Sequence, residues 1–252
     1  MFFIELFQNN LKTQFLGKKV FYYDKTESTN NDIWTLFKKG EKEGILVIAN
    51  NQTKGKGRRK NIWRSNQSLD IVCSFLLKES LSYKNIGIYS LLIPVGIIEG
   101  IKKTIDITLN IKWPNDLVYK NKKIGGILIE SKKYNKFIYL NIGFGINVNS
   151  EPTDFPQDIC NSLNSLKNIF HDDIQREILL ANILNSIEQL LNNKNKIVEK
   201  WTNLCNHINK EVVVSHQNKL INSIFKKVNN SGQAIVNYNE NDIIINGPFL
   251  QI

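Results

Sequence analysis

The 252-residue sequence predicts an α+β fold, a mixed sheet with helices followed by a small all-β tail. Three observations carry that prediction. Strand patterns at 109–113, 117–119 and 123–129 follow one another, the last two at hairpin spacing. Helical stripes at 85–104 and 173–191 do not alternate with single strands as they would in a doubly wound sheet. After residue 206 the sequence turns to VVV, INSIFKKV, QAIVNY and DIIIN, short strands split by Asn, Gly and Ser.

In chain order, KKVFYY at 18–23 is rich in aromatic and β-branched residues and predicts a strand. Ile33, Leu36 and Phe37 at i, i+3 and i+4 predict a short helix ending near Gly40. Thr29, with Asp32 three residues on, predicts its start. GILVIAN at 44–50 and LDIVCSFLL at 69–77 predict strands. The 17 residues from Gln52 to Ser68 lack apolar periodicity and predict a loop of a length usual for functional or disordered connections. Residues 85–104 predict a helix disturbed at Pro94. FIYLNIGFGINV at 137–148 predicts a long strand whose two glycines mark bulges or a close backbone approach. Residues 152–166 read as polar and irregular, and a short helix is expected at 197–204. The change of pattern near 206–210 divides the chain into a main domain at 1–206 and a tail at 207–252 with a meagre core of its own.

No apolar run reaches the 18–20 residues of a membrane helix. MFFIELFQNN has neither the basic leader nor the small-residue cleavage site of a secretory signal. Cys73, Cys160 and Cys205 are odd in number and lack metal-ligand spacing. They read as buried small hydrophobes in a reducing, cytoplasmic setting. Lys and Arg number 33 against 23 Asp and Glu, a net charge of +10. Such a balance suits nucleic acid or another polyanion. The chain is rich in Asn, Lys and Ile throughout, as A/T-rich codons would make it, so local clusters are the sharper guide.

Three clusters carry chemistry. From Lys54 to Arg64 there are six cations and two glycines, ending beside Trp63. Successive N–H groups in such a loop can cradle an anion, and Arg58 and Arg59 can fork onto phosphate or carboxylate oxygens. The stretch is neither a P-loop nor a dinucleotide fingerprint, and a solvated basic loop is the plain alternative. Lys112-Trp113-Pro114-Asn115-Asp116 reads as turn chemistry around a core Trp, or as an amide and a carboxylate projected from a strand end. Lys123 before Gly125-Gly126 sets a cation beside backbone that a ligand can approach. Gly143-Phe144-Gly145-Ile146-Asn147 repeats that open backbone and adds an amide that both donates and accepts.

In order and spacing, Ser28-Thr29-Asn30, Gln52-x-x-Gly55-x-Gly57-Arg58-Arg59 with Trp63, K-W-P-N-D, Lys123-x-Gly125-Gly126-Ile127-Leu128 and the 143–147 segment resemble the biotin protein ligases. The resemblance is strong over about 18–148 and weaker over the tail. It implies that biotin and ATP, with Mg²⁺, give biotinyl-5′-AMP and pyrophosphate. Biotin then passes to a lysine of the biotin carboxyl carrier domain of acetyl-CoA carboxylase or a related carboxylase. It implies that Ser28, Thr29 and Gln52 hydrogen-bond the ureido ring, with Asn30 beside them. Backbone at Lys56 and Gly57 would meet the valeryl carboxylate, and Gly125 and Gly126 would let the ligand press close. Arg58 would clamp carboxylate and α-phosphate, with Arg59 and Asn115 also on the ATP side. Lys123 would stabilise charge at the α-phosphate, and Trp63 and Asn147 would cover and read adenine. Asp116 would orient or deprotonate the carrier lysine. Metal ligands stay unassigned.

The resemblance further implies a catalytic sheet with helices packed on one face, an SH3-like barrel in the tail, and a homodimer as a family habit. Fewer than 20 residues precede the first strand, too few for the helix-turn-helix of repressor members, so a short form without DNA binding is expected. Lys56, Lys60, Asn61 and Ser68 depart from the usual pattern and bear on how the basic loop closes. A lipoate or octanoate ligase of the same core fold is the neighbouring reading. A basic nucleic-acid-binding module is the reading from another class, and a carrier-binding protein without catalysis is a third.

Overall fold

The computed structural model describes residues 1–64, 66–80, 83–217, 219–245 and 249–251. After α1 (Ile4–Asn10), strands β1 (Val20–Thr26), β2 (Leu46–Gln52), β3 (Ile71–Ser80), β4 (Asn110–Lys112), β5 (Asp116–Tyr119), β6 (Lys122–Tyr134) and β7 (Phe137–Ile146) form one sheet. Its order is β1-β2-β3-β7-β6-β5-β4. β1 and β2 run parallel across α2 (Thr29–Lys38), and the other neighbours are antiparallel, so the sheet is mixed as expected. β5 and β6 meet at Lys120-Asn121, both with positive φ (46° and 66°), the backbone of a two-residue hairpin turn.

Side chains alternate across each strand, and this sorts the helices. Leu46, Ile48, Cys73, Phe75 and Ile142 point to one face and join the main core under α3 (Tyr89–Ile105) and α6 (Arg176–Asn192). Those two helices lie close because α3 offers glycine where they touch. A Cβ on Gly100 would stand 2.4 Å from Ile183 Cα. Ile45, Val47 and Leu76 point the other way and pack against Ile33, Trp34 and Leu36 of α2. The expectation of helices on one face is therefore corrected: α2 covers part of the opposite face and leaves the rest of it open.

Other differences are local. β1 continues through Asp24-Lys25-Thr26 beside Asn51 and Gln52. The Thr29–Asp32 cap does not form. Ser28 is the capping residue without a side-chain bond, and Asp32 instead accepts the Thr26 hydroxyl at 2.7 Å. The helix expected from residue 85 begins as a 3₁₀ turn, Tyr83–Ile88, in which Gly87 lies against Ser231 of the tail. α1 was not expected; it buries Phe7 against the main core. The polar stretch holds α4 (Gln157–Cys160), and α5 (Leu166–Phe170) begins at its last residue, followed after α6 by α7 (Ile197–Leu204).

The tail forms a second antiparallel sheet from β8 (Glu211–His216), β9 (Lys219–Val228), β10 (Ala234–Tyr238), β11 (Asn241–Ile245) and β12 (Phe249–Gln251), in the order β11-β10-β9-β8-β12. Its buried Phe225 meets Trp113, Trp201 and His207. The Trp113 indole N–H donates to Gly232 O at 3.1 Å, so the two sheets share a core. Among the described residues no helix is long and apolar enough to cross a membrane.

Candidate active site

The face that α2 leaves open is floored by three central strands. In register, Gly145 lies between Val72 and Gly126, and Gly143 lies between Ser74 and Leu128. With no side chains at these two positions of the middle strand, a cavity of about 350 Å³ opens above them. Gly143 has a specific cause: a Cβ there would sit 2.0 Å from Asn30 Oδ1.

One end of the cavity is neutral and hydrogen-bonded. The Thr29 N–H and hydroxyl donate to Gln52 Oε1 at 2.8 and 3.0 Å. Thr29 Oγ1 is 2.7 Å from Ser74 Oγ, which donates to Asn30 Oδ1 at 3.0 Å. Two hydroxyl protons thus serve three oxygen contacts, and the network is one donor short. Beneath it the Trp34 indole N–H, at 2.9 Å, and the amides of Asn30 and Asn141 converge on Glu130 Oε2.

The other end is cationic. Lys56, Arg58, Arg59, Lys112 and Lys123 line it with one carboxylate, Asp116. Lys112 and Asp116 face each other at the ends of β4 and β5, where the K-W-P-N-D turn closes the pair. Lys123 Nζ is 2.8 Å from Asp116 Oδ1, both about one-third exposed. Arg58 donates to Asn115 Oδ1 at 3.4 Å, and the Asn115 amide donates to Ile127 O at 3.0 Å. Burial lowers the Arg58 pKa, as does repulsion from Arg59, while Asp116 opposes both.

The basic loop crosses over this floor as the loop that its sequence predicts, with local order of its own. Lys56 bridges Ile62, and the Trp63 N–H returns to Gly55 O at 2.9 Å. Arg58–Lys60 form a 3₁₀ turn in which Arg59 has φ 54°. The Trp63 ring lies directly on Gly145, where a Cβ would be 2.2 Å from its Cε2. Lys123 Nζ is 5.7 Å from the ring centre, and the buried indole Nε1 has no hydrogen-bond partner. The loop exits through Ser68, held at φ 63°, to Asp70. Burial raises the Asp70 pKa, although hydrogen bonds from Asn66, Ser150 and Val148 and the Arg176 charge pull it down.

The cavity gathers Thr29, Asn30, Gln52, Lys56, Gly57, Arg58, Arg59, Trp63, Asn115, Asp116, Lys123 and Gly126. Three sequence-predicted residues lie outside its lining. Ser28 is fully buried with an unpartnered hydroxyl. Gly125, expected beside Gly126, alternates to the core face near Leu117 and Ile146. Asn147 lies just past β7; its amide donates to Asn164 O at 3.1 Å and its Oδ1 has no partner. Sequence reasoning missed Ser74, Asn141 and Glu130. Their only signal was a polar residue on the strand face that also carries the glycines.

Among the described residues no group of three His, Cys, Asp or Glu side chains gathers as a metal cage. A lone carboxylate already tied to Lys123 does not build a Mg²⁺ site. A Cys–His–Asn arrangement at the tail boundary is also no reactive centre. Cys205 Sγ is 3.4 Å from His207 Nε2, and His207 Nδ1 is 2.9 Å from Asn206 Oδ1. Burial pushes the thiol up to about 12 and the imidazole down to about 4, so neither is charged near neutrality.

Curated relatives include the bifunctional ligase/repressor BirA of Bacillus subtilis (strain 168), 33% identical over 180 residues, which are 71% of this chain and 55% of that protein. The biotin–protein ligase of Homo sapiens is 31% identical over 199 residues, covering 75% of this chain and 27% of that one. The chain thus spans about half the length of the first and about a quarter of the second. The solved structure of biotin protein ligase from Aquifex aeolicus in complex with biotin and ATP superposes with a TM-score of 0.77 at 25% identity, over 92% of this chain and 97% of that one. The sequence profile of the biotin/lipoate A/B protein ligases matches residues 22–147, half of the chain. That span takes in every residue lining the cavity, and on this ground the chain belongs to the biotin/lipoate A/B protein ligase family.

Proposed function

We propose that the chain is a biotin protein ligase, which activates biotin with ATP to biotinyl-5′-AMP and passes the biotin to a carrier lysine. The observation that carries this reading is one cavity with two unlike ends. The Thr29–Gln52–Ser74–Asn30 network lacks a donor, and a ureido ring brings two N–H donors and a carbonyl acceptor. The cationic end suits the meeting of a carboxylate with a triphosphate. Two unit charges 4 Å apart repel by about 4 kcal/mol at an effective dielectric of 20, which fixed cations offset.

In the first step a carboxylate oxygen of biotin attacks the α-phosphorus. The new O–P bond forms as the bond to pyrophosphate breaks, and pyrophosphate leaves with the electron pair. Lys123 and Arg58 stabilise charge at the phosphorus, and Trp63, on Gly145 and Gly126, covers the nucleotide and keeps water out. In the second step the neutral lysine amine attacks the acyl carbon. The C–N bond forms, the C–O bond to AMP breaks, and the amine proton passes to Asp116. Asp116 is released for this when Lys123 turns from it to phosphate. Mg²⁺ arriving with ATP would screen the phosphates; no step here depends on it.

The remaining readings follow from the same proposal. The carrier would be the biotin carboxyl carrier domain of a carboxylase; a Mycobacterium tuberculosis relative, 26% identical, is a biotin–[acetyl-CoA-carboxylase] ligase. The catalytic unit would be 1–206, and the tail at 207–252 a barrel of the SH3-like kind, for which its five antiparallel strands speak. Three unpaired cysteines suit the cytoplasm. Homodimerisation is proposed from the family alone.

Isotope exchange between pyrophosphate and ATP tests the proposal, with biotin and lipoate supplied in turn. Exchange with biotin only is expected. Exchange with lipoate only would move the chain to the lipoate branch of the family, and no exchange with either would refute adenylation.

A further inference from the structure

Asp70 ends the basic loop just before β3, is 1% exposed, and has no part in the chemistry above. Its carboxylate joins two distant stretches of chain. Oδ2 accepts the Asn66 N–H at 2.9 Å, where the loop comes to its end. Oδ1 accepts the Val148 N–H at 3.0 Å and the Ser150 hydroxyl at 2.8 Å, immediately beyond Asn147. Asn149 N–H donates to Leu69 O at 3.1 Å and reinforces the same junction. Arg176 binds the Asp70 carbonyl at 3.0 Å and so fixes the backbone rather than the carboxylate.

A buried carboxylate is costly unless its oxygens are hydrogen-bonded, and here both are. The geometry needs two acceptors. Asparagine, the same shape, can serve Val148 and Ser150 through its one oxygen but turns an NH₂ group against the Asn66 N–H. Trp63 lies three residues before Asn66, and Asn147 one residue before Val148.

We propose that Asp70 is a positioning residue that locks the exit of the basic loop to the Asn147 segment at the end of β7, so that Trp63 is held in place over the nucleotide. The nucleotide rests on the ligase reading; the lock does not. The first test is Asp70→Asn, read by tryptic cleavage within 54–64, against the β6–β7 hairpin at Lys132–Lys136 as internal reference, and by the KM values for ATP and biotin in exchange. Losing one charge-assisted bond is expected to speed loop cleavage about tenfold and raise the KM for ATP about tenfold. The reference cleavage stays within about twofold, and the KM for biotin, whose carboxylate would meet the same loop at Lys56 and Gly57, rises as well. Unchanged loop cleavage, or loop and hairpin rising together, overturns the lock. Faster loop cleavage with an unchanged KM for ATP overturns its coupling to the nucleotide. Absence of biotin-dependent exchange in the unaltered protein removes the ligase reading, while the cleavage still decides the lock. Amide exchange in the unaltered protein decides it without a variant: Asn66 and Val148 are expected to exchange equally slowly, and a fast Asn66 amide overturns the proposal.

Discussion

Adding one methyl group to Gly145 asks whether the Trp63 indole is seated on the sheet or merely near it. A Cβ there would stand 2.2 Å from Trp63 Cε2 and 2.4 Å from Cζ2. Carbon atoms in ordinary contact are about 3.5–4.0 Å apart, so in Gly145→Ala the ring must rise by more than about 1 Å. Gly145 is strand backbone without positive φ, so alanine adds no backbone strain, and stability should change by less than about 1 kcal/mol. A misplacement of about 1 Å at a reacting centre costs on the order of 100-fold. The lid is one step from that centre, so a 10- to 100-fold fall in kcat/KM for ATP is expected in pyrophosphate exchange, with the KM for biotin little moved. The cause is separable. Trp63→Ala removes the ring that the methyl strikes, so the double variant should be no worse than Trp63→Ala alone. Additive losses, or an unchanged kcat/KM for ATP in Gly145→Ala, would refute the seat.

Lys123→Ala should slow adenylation about 100-fold, whereas Asp116→Asn should leave exchange within about fivefold and slow transfer to the carrier about 100-fold; the reverse pattern would exchange their roles. Ser68 is held at φ 63°, so Ser68→Gly should stabilise by about 0.5–1 kcal/mol, about 1–4 °C in a melting scan, and a lower Tm would contradict the strain. His207 is pushed down to about 4 by burial and by Lys112 and Lys210, against about 6.5 when unfolded. The unfolded chain therefore takes the proton first. The His207 contribution is fully present above about pH 6.5 and is lost as the pH falls toward 4, by up to about 3 kcal/mol. Urea titrations at pH 7 and 4.5 should differ less in His207→Gln than in the unaltered protein, and an equal difference would rule this residue out.

The strands that carry the motifs were legible because apolar alternation and β-branched runs mark them whatever they pair with. Pairing order is another matter: nothing in FIYLNIGFGINV says that β7 is central, yet Gly143 and Gly145 form a floor only because β3 and β6 flank them. The face of each glycine was equally hidden. Gly125 and Gly126 look alike in sequence, and the register of β6 alone sends one to the core and the other to the cavity. Thr29 and Asp32 have the spacing of a capping pair, but β1 runs on to Thr26 and its hydroxyl takes Asp32 first. α1 lacked a cap and a clear stripe; it is a helix because the main core accepts Phe7. The partnership of Glu130 and Asn141 with α2 was hidden, since Asn30 lies 100 or more residues away from both in sequence.

Trp113 gives the K-W-P-N-D turn a second allegiance. Its indole is held by Gly232 and Phe225 of the tail, while Asn115 and Asp116, two and three residues on, stand in the cleft. The tail is in this sense a keystone rather than an appendage. A fragment ending at residue 206 would strip cover from Trp113 and Trp201, rings that bury about 150–250 Å² each, and would free the turn that sets the Asp116 carboxylate. Such a fragment should be sticky and slow instead of a smaller working enzyme. Supplied as a separate chain, the tail should find its way back, because each half holds surface that only the other can cover.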